Sequence, residues 1–255
     1  MGTVKTHVGP VYLEPKEHVY INKETGEKYT SVTKIIKHIV PPFEADQIAE
    51  AIERQGEDIK NPKYLGMNKH QILAEWDREC DEANTYGTMV HEIVEDYLLA
   101  NKIYKPKSDF EKVVIKAYNE MEIDEGETLY PERIMFSPEY KLAGMTDVLV
   151  DLKYDLFDIG DWKTNKEFST YSKYRTFLLP PFEHLQDCHL TVYNLQLSTY
   201  ALMYEMETGK KCRQLWAGHF DRNTNKFTKV PMVYLKNEAL KLLKIHEYNR
   251  KLEEI

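Results

Sequence analysis

Three cysteines in 255 residues, Cys80, Cys188 and Cys212, share no CxxC spacing. That is too few for the four-thiolate ligation of an iron–sulfur cluster, and well-separated free thiols fit a reducing compartment. No apolar run approaches the ~20 residues that span a bilayer, and no signal-peptide core opens the chain, so no membrane contact is expected and the cytosol is the expected location. Glycine is sparse, with 11 residues and no Walker A loop, so ATP is not an expected cofactor. Basic residues are also in deficit: 34 Lys and Arg against 42 Asp and Glu leave a net charge of −8, which argues against a generally adhesive, histone-like binder of nucleic acid. Internal repeats and low-complexity tracts are absent as well.

What is there is concentrated in Gly144-Met-Thr-Asp147 and Asp161-Trp-Lys163-Thr. Alternating apolar residues between them, Val148-Leu-Val150 and Leu156-Phe-Asp-Ile159, predict two antiparallel strands. Side chains alternate faces along a strand, so Asp161 and Lys163 share one face. With Asp147 opposite, two carboxylates and an ammonium converge at a sheet edge. Hard divalent cations, Mg2+ or Mn2+, take carboxylate and water oxygens in that way, and the chemistry they support is metal-assisted phosphodiester cleavage. Lys163 would orient or deprotonate the water, or stabilise developing charge. Taken singly, each residue reads as a strand-end acid or a solvated charge; the GxxD and DxK spacings across one hairpin are what favour a site.

Two helical patches join it. In Tyr86–Leu99, Val90, Ile93, Val94, Tyr97 and Leu98 form an apolar stripe, and His91 and Glu95, four apart, lie on one face. A HisxxxGlu pair also raises zinc, but no third nitrogen or sulfur ligand stands at a suitable spacing. In Tyr193–Tyr204, Gln196 and Tyr200 share a face, and Gly209 stops the helix.

In chain order, Gly87-Thr88 with His91, Glu132, Gly144-Met-Thr-Asp147, Asp161-Trp-Lys163 and Gln196 with Tyr200 resemble the PD-(D/E)xK nuclease superfamily. The similar branch is the RecB-type exonucleases, which includes phage exonucleases and the mitochondrial genome maintenance exonuclease. Tyr29–Ile36 and Trp76 fit the same branch, so the likeness spans roughly residues 27 to 205. The resemblance implies His91, Asp147, Asp161 and the backbone carbonyl of Trp162 as metal ligands, Lys163 as the catalytic lysine, and Gln196 and Tyr200 on a helix that contacts DNA or metal-bound water. Glu132 matches a recurrent acidic position, counted with the catalytic set. Lys166, Lys173 and Arg175 with Tyr171 and Tyr174 interleave cations and aromatics as single-strand binders do, and are the expected substrate contacts; a solvated loop is the alternative.

The pattern of elements predicts an α/β fold: a mixed central β-sheet flanked by helices, restriction-endonuclease-like in its core, with a helical N-terminal extension. Residues 1–85 are read as a hairpin plus helices near 44–55 and 68–83, and residues 86–255 as the nuclease core, the two forming one compact unit. Strands are expected at 133–137, 142–151, 156–164, 214–221 and 226–234, with helices at 86–100, 108–121 and 237–254. The expected activity is a metal-dependent DNA exonuclease acting from single-strand ends and leaving 5′-phosphates. The alternatives are an endonuclease on branched or duplex DNA and a silent DNA-binding or assembly subunit. Partners would be DNA and other recombination or replication proteins, in keeping with a phage-type nuclease acting in a host cytoplasm.

Overall fold

A computed structural model describes residues 3–5, 9–17, 19–101, 103–123, 126 and 128–253. The fold is mixed α/β, with helices flanking a sheet of nine strands among the described residues. Its hub is β6 (Leu142–Asp151), which pairs along its whole length with antiparallel β5 (Thr128–Ser137). The other edge of β6 is shared. β4 (Lys28–Ser31) pairs in parallel with Leu142 and Ala143, and β7 (Leu156–Lys163) pairs antiparallel with Val148–Asp151. Between them the sheet forks, and residues 144–147 meet no strand on that edge among the described residues. One arm continues through β3 (Val19–Asn22) to β2 (Val11–Glu14); the other runs through β8 (Lys211–Asp221) to β9 (Lys226–Met232). A two-residue β1 (Thr3–Val4) borders β5 in parallel.

One face of the sheet is covered by α1 (Val32–Lys37), α5 (His189–Thr208) and α6 (Lys236–Glu253), whose apolar faces share one buried cluster with Met135, Leu149, Phe157, Ile159 and Leu215. Ser31 caps α1 by accepting from Lys34 N at 3.2 Å, and Gly209 ends α5 at φ 76°, a conformation open to glycine at little cost. Aromatics fill the opposite face: Tyr118 of α4 (Asp109–Glu120) packs edge-on against Trp162, which in turn meets Trp216 and Phe227. Gly160 and Gly218 admit this stack, since a Cβ on either would lie 2.0 Å from Trp216 or 2.5 Å from Trp162.

Several sequence expectations change. The two helices expected at 68–83 and 86–100 are one, α3 (Lys69–Leu99); no proline intervenes, and Gly87 costs a helix interior only about 1 kcal/mol. β5 starts upstream of the expected Arg133 and carries Pro131 within it. β2 was not anticipated. The chain divides into two compact units, one of residues 1–41 and 90–255 and one of residues 42–89. An expected boundary at 85/86 placed residues 1–41 outside the core, whereas β2–β4 belong to its sheet. The smaller unit holds α2 (Ala45–Glu53), the start of α3 and an aromatic knot in which Trp76 Nε1 donates to Tyr64 Oη at 2.9 Å and Phe43 packs at 5.5 Å. Trp76 is thus a packing residue of that unit. No helix among the described residues is long and apolar enough to cross a membrane.

Candidate active site

The fork in the sheet is bridged by side chains. Where the β6–β7 ladder stops at Val148 and Gly160, Thr146 Oγ1 donates to the Gly160 carbonyl at 2.9 Å, and the Trp162 amide donates to Asp147 Oδ2 at 2.5 Å. An extended residue sends its N–H and C=O to the same edge, so the Trp162 carbonyl also leaves β7 toward Asp147. The second Asp147 oxygen, Oδ1, lies 3.2 Å from His91 Nδ1, supplied by the last turns of α3. Asp161 and Lys163, two apart on β7, share the α5 face with Phe157 and Ile159 and form an ion pair. The Lys163 ammonium stands 4.4 Å from the ring centroid of Tyr193, whose hydroxyl donates to Asn165 Oδ1 at 2.9 Å.

Glu132 lies across from Asp147 and drops out of the β5–β6 ladder between Pro131↔Val148 and Arg133↔Thr146, with φ at 50°. A glutamate in the left-handed region is strained, and strain of this kind collects at functional sites. It also reverses the alternation of faces. Tyr130 and Leu149 pack toward the α5 core, and so do Met135 and Leu142, although regular alternation would turn the second pair away.

Negative charge accumulates around this kink. Burial, with Asp147 and Glu95 beside it, pushes the Glu132 carboxyl up to about 8. Burial and Asp147 push Asp161 to about 6 in spite of Lys163, and burial with its acidic neighbours raises Glu95. Burial would also raise Asp147, but His91, Lys163 and the Trp162 amide outweigh it and hold that carboxyl below the usual range. Burial opposes a charged His91, yet the Asp147 carboxylate wins and lifts the imidazole to about 8. Lys163 is likewise held as an ammonium, since Asp161, Tyr193 and Asp147 outweigh its burial.

His91, Glu95, Glu132, Asp147, Asp161 and Lys163 are therefore gathered in one place. They do not form a ready-made cage: among the described residues no three His, Cys, Asp or Glu side chains are arranged to hold a metal ion. His91 and Trp162 occupy the Asp147 oxygens instead, and the Lys163 ammonium occupies Asp161 Oδ2.

Gln196 Nε2 donates to Tyr200 Oη at 3.0 Å, and Tyr200 is buried, only 2% exposed. Its ring covers Gly144, where a Cβ would fall 2.3 Å from Cε1. The glycine of the GxxD spacing makes room for this tyrosine. Gly144→Ala should destabilise the fold by about 3 kcal/mol, roughly 6–12 °C in Tm, as an overpacked core does. Calorimetry of Gly144→Ala, Tyr200→Leu and the double variant checks it: in the double variant the ring is gone, so the alanine should cost far less than in wild type.

The basic-aromatic segment follows β7 and lies largely at the surface. Tyr171 and Tyr174 are exposed, Lys166 and Arg175 lie at the surface, and Lys173 pairs with Glu167 at 2.7 Å. Sequence reasoning passed over Thr146, Asn165 and Tyr193. Tyr193 could have been found, since it lies on the Gln196 side of its helix one turn earlier; Thr146 and Asn165 act through contacts 14 and 28 residues away, which no local pattern encodes.

No family model matches this chain, and no curated protein matches it in sequence. Among solved structures it is similar to a crystal structure described as a "putative exonuclease" from Eubacterium rectale, at 15% identity and a TM-score of 0.40. The match covers 65% of this chain and 65% of that one. A likeness of that extent carries no conclusion about activity.

Proposed function

We propose that this protein is a metal-dependent deoxyribonuclease that hydrolyses phosphodiester bonds from free, single-stranded ends and leaves 5′-phosphates. One observation carries the reading: at the fork of the sheet, Asp147, Asp161 and Glu132 crowd together with Lys163 on the Asp161 face and His91 on Asp147. Buried carboxylates that raise one another are stabilised by a hard cation or by protons. Two carboxylates, an imidazole and a backbone carbonyl are a donor set that a hard cation takes, and Asp161 is buried with its Oδ2 held by the Lys163 ammonium. Asp147, Asp161 and the Trp162 carbonyl, with His91, would hold Mg2+ or Mn2+. When bound, the cation would neutralise phosphate charge and make a coordinated water acidic enough to supply the nucleophile.

Lys163 does its part as a cation. Two acids and the Tyr193 ring hold it protonated, so it stabilises charge developing on the phosphate rather than abstracting a proton. His91 fixes Asp147 Oδ1, and the Trp162 amide fixes Oδ2, so the carboxylate plane is set before substrate arrives. The overall charge of −8 confines attraction for DNA to local cations.

The test is cleavage of end-labelled linear and circular DNA, single-stranded and duplex, with Mg2+ or Mn2+. Wild type should shorten linear strands stepwise, and Lys163→Ala should be slower by about 10²–10³-fold, as when one preorganised charge donor is lost. Cleaved circles would replace the exonuclease with an endonuclease. No cleavage with either metal would leave a DNA-binding subunit.

A further inference from the structure

Beside this site lies a cavity of about 500 Å³ between α1 and α5. α1 and the turn after it contribute Thr33, Ile36, Lys37 and Val40, the i, i+3, i+4, i+7 face of one helix. α5 contributes His189, Val192, Tyr193 and Gln196, the same spacing on the other. Two of those residues belong to the site already described: Tyr193 carries the Lys163 ammonium on its ring, and Gln196 holds Tyr200. The cavity is thus one side chain away from the proposed catalytic lysine.

Its chemistry suits a nucleobase better than a phosphate. Carbon from Ile36, Val40, Val192 and the Tyr193 and His189 rings lines it beside hydrogen-bonding groups of Thr33, Ser169 and Gln196, the mixture of apolar wall and placed polar groups that ligand pockets of this size carry. Charge is confined to Lys37 and Asp187. Asp187 Oδ2 is engaged by the Thr176 hydroxyl at 3.4 Å, whereas Lys37 is exposed and has no ion-pair partner among the described residues. His189 is already fixed, its Nδ1 accepting from Ser169 N at 3.2 Å and its ring lying parallel to Tyr193 at 5.8 Å. The rigid floor is paid for within the protein, so a ligand need not order it.

We propose that this cavity receives one unpaired nucleotide of the substrate strand, its base between the α1 and α5 walls and its phosphate toward Lys37. The proposal rests on the nuclease reading and adds the place where an unpaired base is held. A base still paired in a duplex cannot enter a gap between two packed helices, so the strand must be single or frayed at the point of entry. The exposed tyrosines of the 164–188 segment are not required for this selection.

The test measures binding of full-length Lys163→Ala to a single-stranded oligonucleotide and to copies in which the 5′- or 3′-terminal base is replaced by an abasic residue. Loss of the base at one end should weaken binding about tenfold, within the range of one stacked or enclosed base. Val192→Trp, which fills the cavity, should weaken the intact strand to the abasic level and erase the difference. Thr33→Phe on the opposite, exposed wall does the same should Val192→Trp not fold. Lys37→Ala should weaken both strands equally. Equal affinity for intact and abasic strands at both ends, or full affinity in a folded filled variant, overturns the proposal. Base discrimination in a wild-type protein that cleaves nothing would instead overturn the nuclease reading and leave the cavity assignment standing.

Discussion

Asp147→Asn is expected to fold like the wild type and to cleave DNA about 10³-fold more slowly. The reason is a division of labour within one side chain. Asp147 Oδ2 accepts the Trp162 amide at 2.5 Å and so splices β6 to β7 past the end of their ladder. An asparagine Oδ1 can accept that bond, and its amide can face His91, so the splice survives. What asparagine cannot supply is the negative charge that balances His91 and would draw a cation toward Asp161, and removal of a catalytic charge in a site of this kind costs several kcal/mol of transition-state stabilisation. Asp147→Ala separates the two roles. It leaves a buried N–H at Trp162 without a partner and should cost a further 1–3 kcal/mol or so of stability in addition to activity. Initial rates on an end-labelled single strand, read alongside thermal melts, decide it. An asparagine variant that keeps more than a tenth of the rate would remove Asp147 from the mechanism.

The second large effect is on stability against pH. In metal-free protein the melting temperature should fall as pH rises from 5.5 to 8.5, by roughly 10 °C if the shifts translate at the usual rate for a chain of this size. Asp161 and Glu132 titrate near 6 and 8 in the folded chain, above the range of about 4 in the unfolded one. Between those values the folded state binds more protons, so each rise in pH through the window destabilises it. His91 acts in the same direction. Its pKa is raised to about 8, so its stabilising pairing with Asp147 is complete below about 6.5 and is lost as pH passes 8. Asp147, held low, and Lys163, held high, keep their charges throughout this window and contribute no slope. Mn2+ should reverse the trend: a cation that replaces those protons raises Tm more at pH 8 than at pH 5.5. Calorimetry in chelator and in excess Mn2+ measures both. A flat metal-free profile would mean that the acids do not share an uncompensated site.

Much of the central machinery could be read one segment at a time. Asp161 and Lys163 had to share a face because strand side chains alternate, and they do. His91 and Glu95 had to share one because helices repeat near 3.6 residues, and both face Asp147. Apolar periodicity likewise marked α4, β6, β7, β8, β9 and α6 within a few residues. It failed where local pattern is ambiguous. Asn84 and Thr85 fall between the helices expected at 68–83 and 86–100, but α3 passes through them, because weak helix formers are tolerated when the turns on either side are already formed. The basic and aromatic residues from Lys166 to Arg175 lie at the surface, as a strand-binding groove and a solvated loop both would; composition gives charge, not location.

The sequence alone determined the chemistry available: two acids and a lysine at hairpin spacing, and a histidine one helix away. Only the tertiary structure decided how those groups meet. The fork at residues 144–147, the left-handed Glu132 that turns both strands over, and the Tyr200 ring seated on Gly144 all depend on contacts between segments distant in the chain. The same is true of the Tyr193 face under Lys163. Alternation and periodicity are local properties of one strand or one helix. A kink that reverses them is fixed by what packs on either side, and that is settled only once the whole sheet has closed around it.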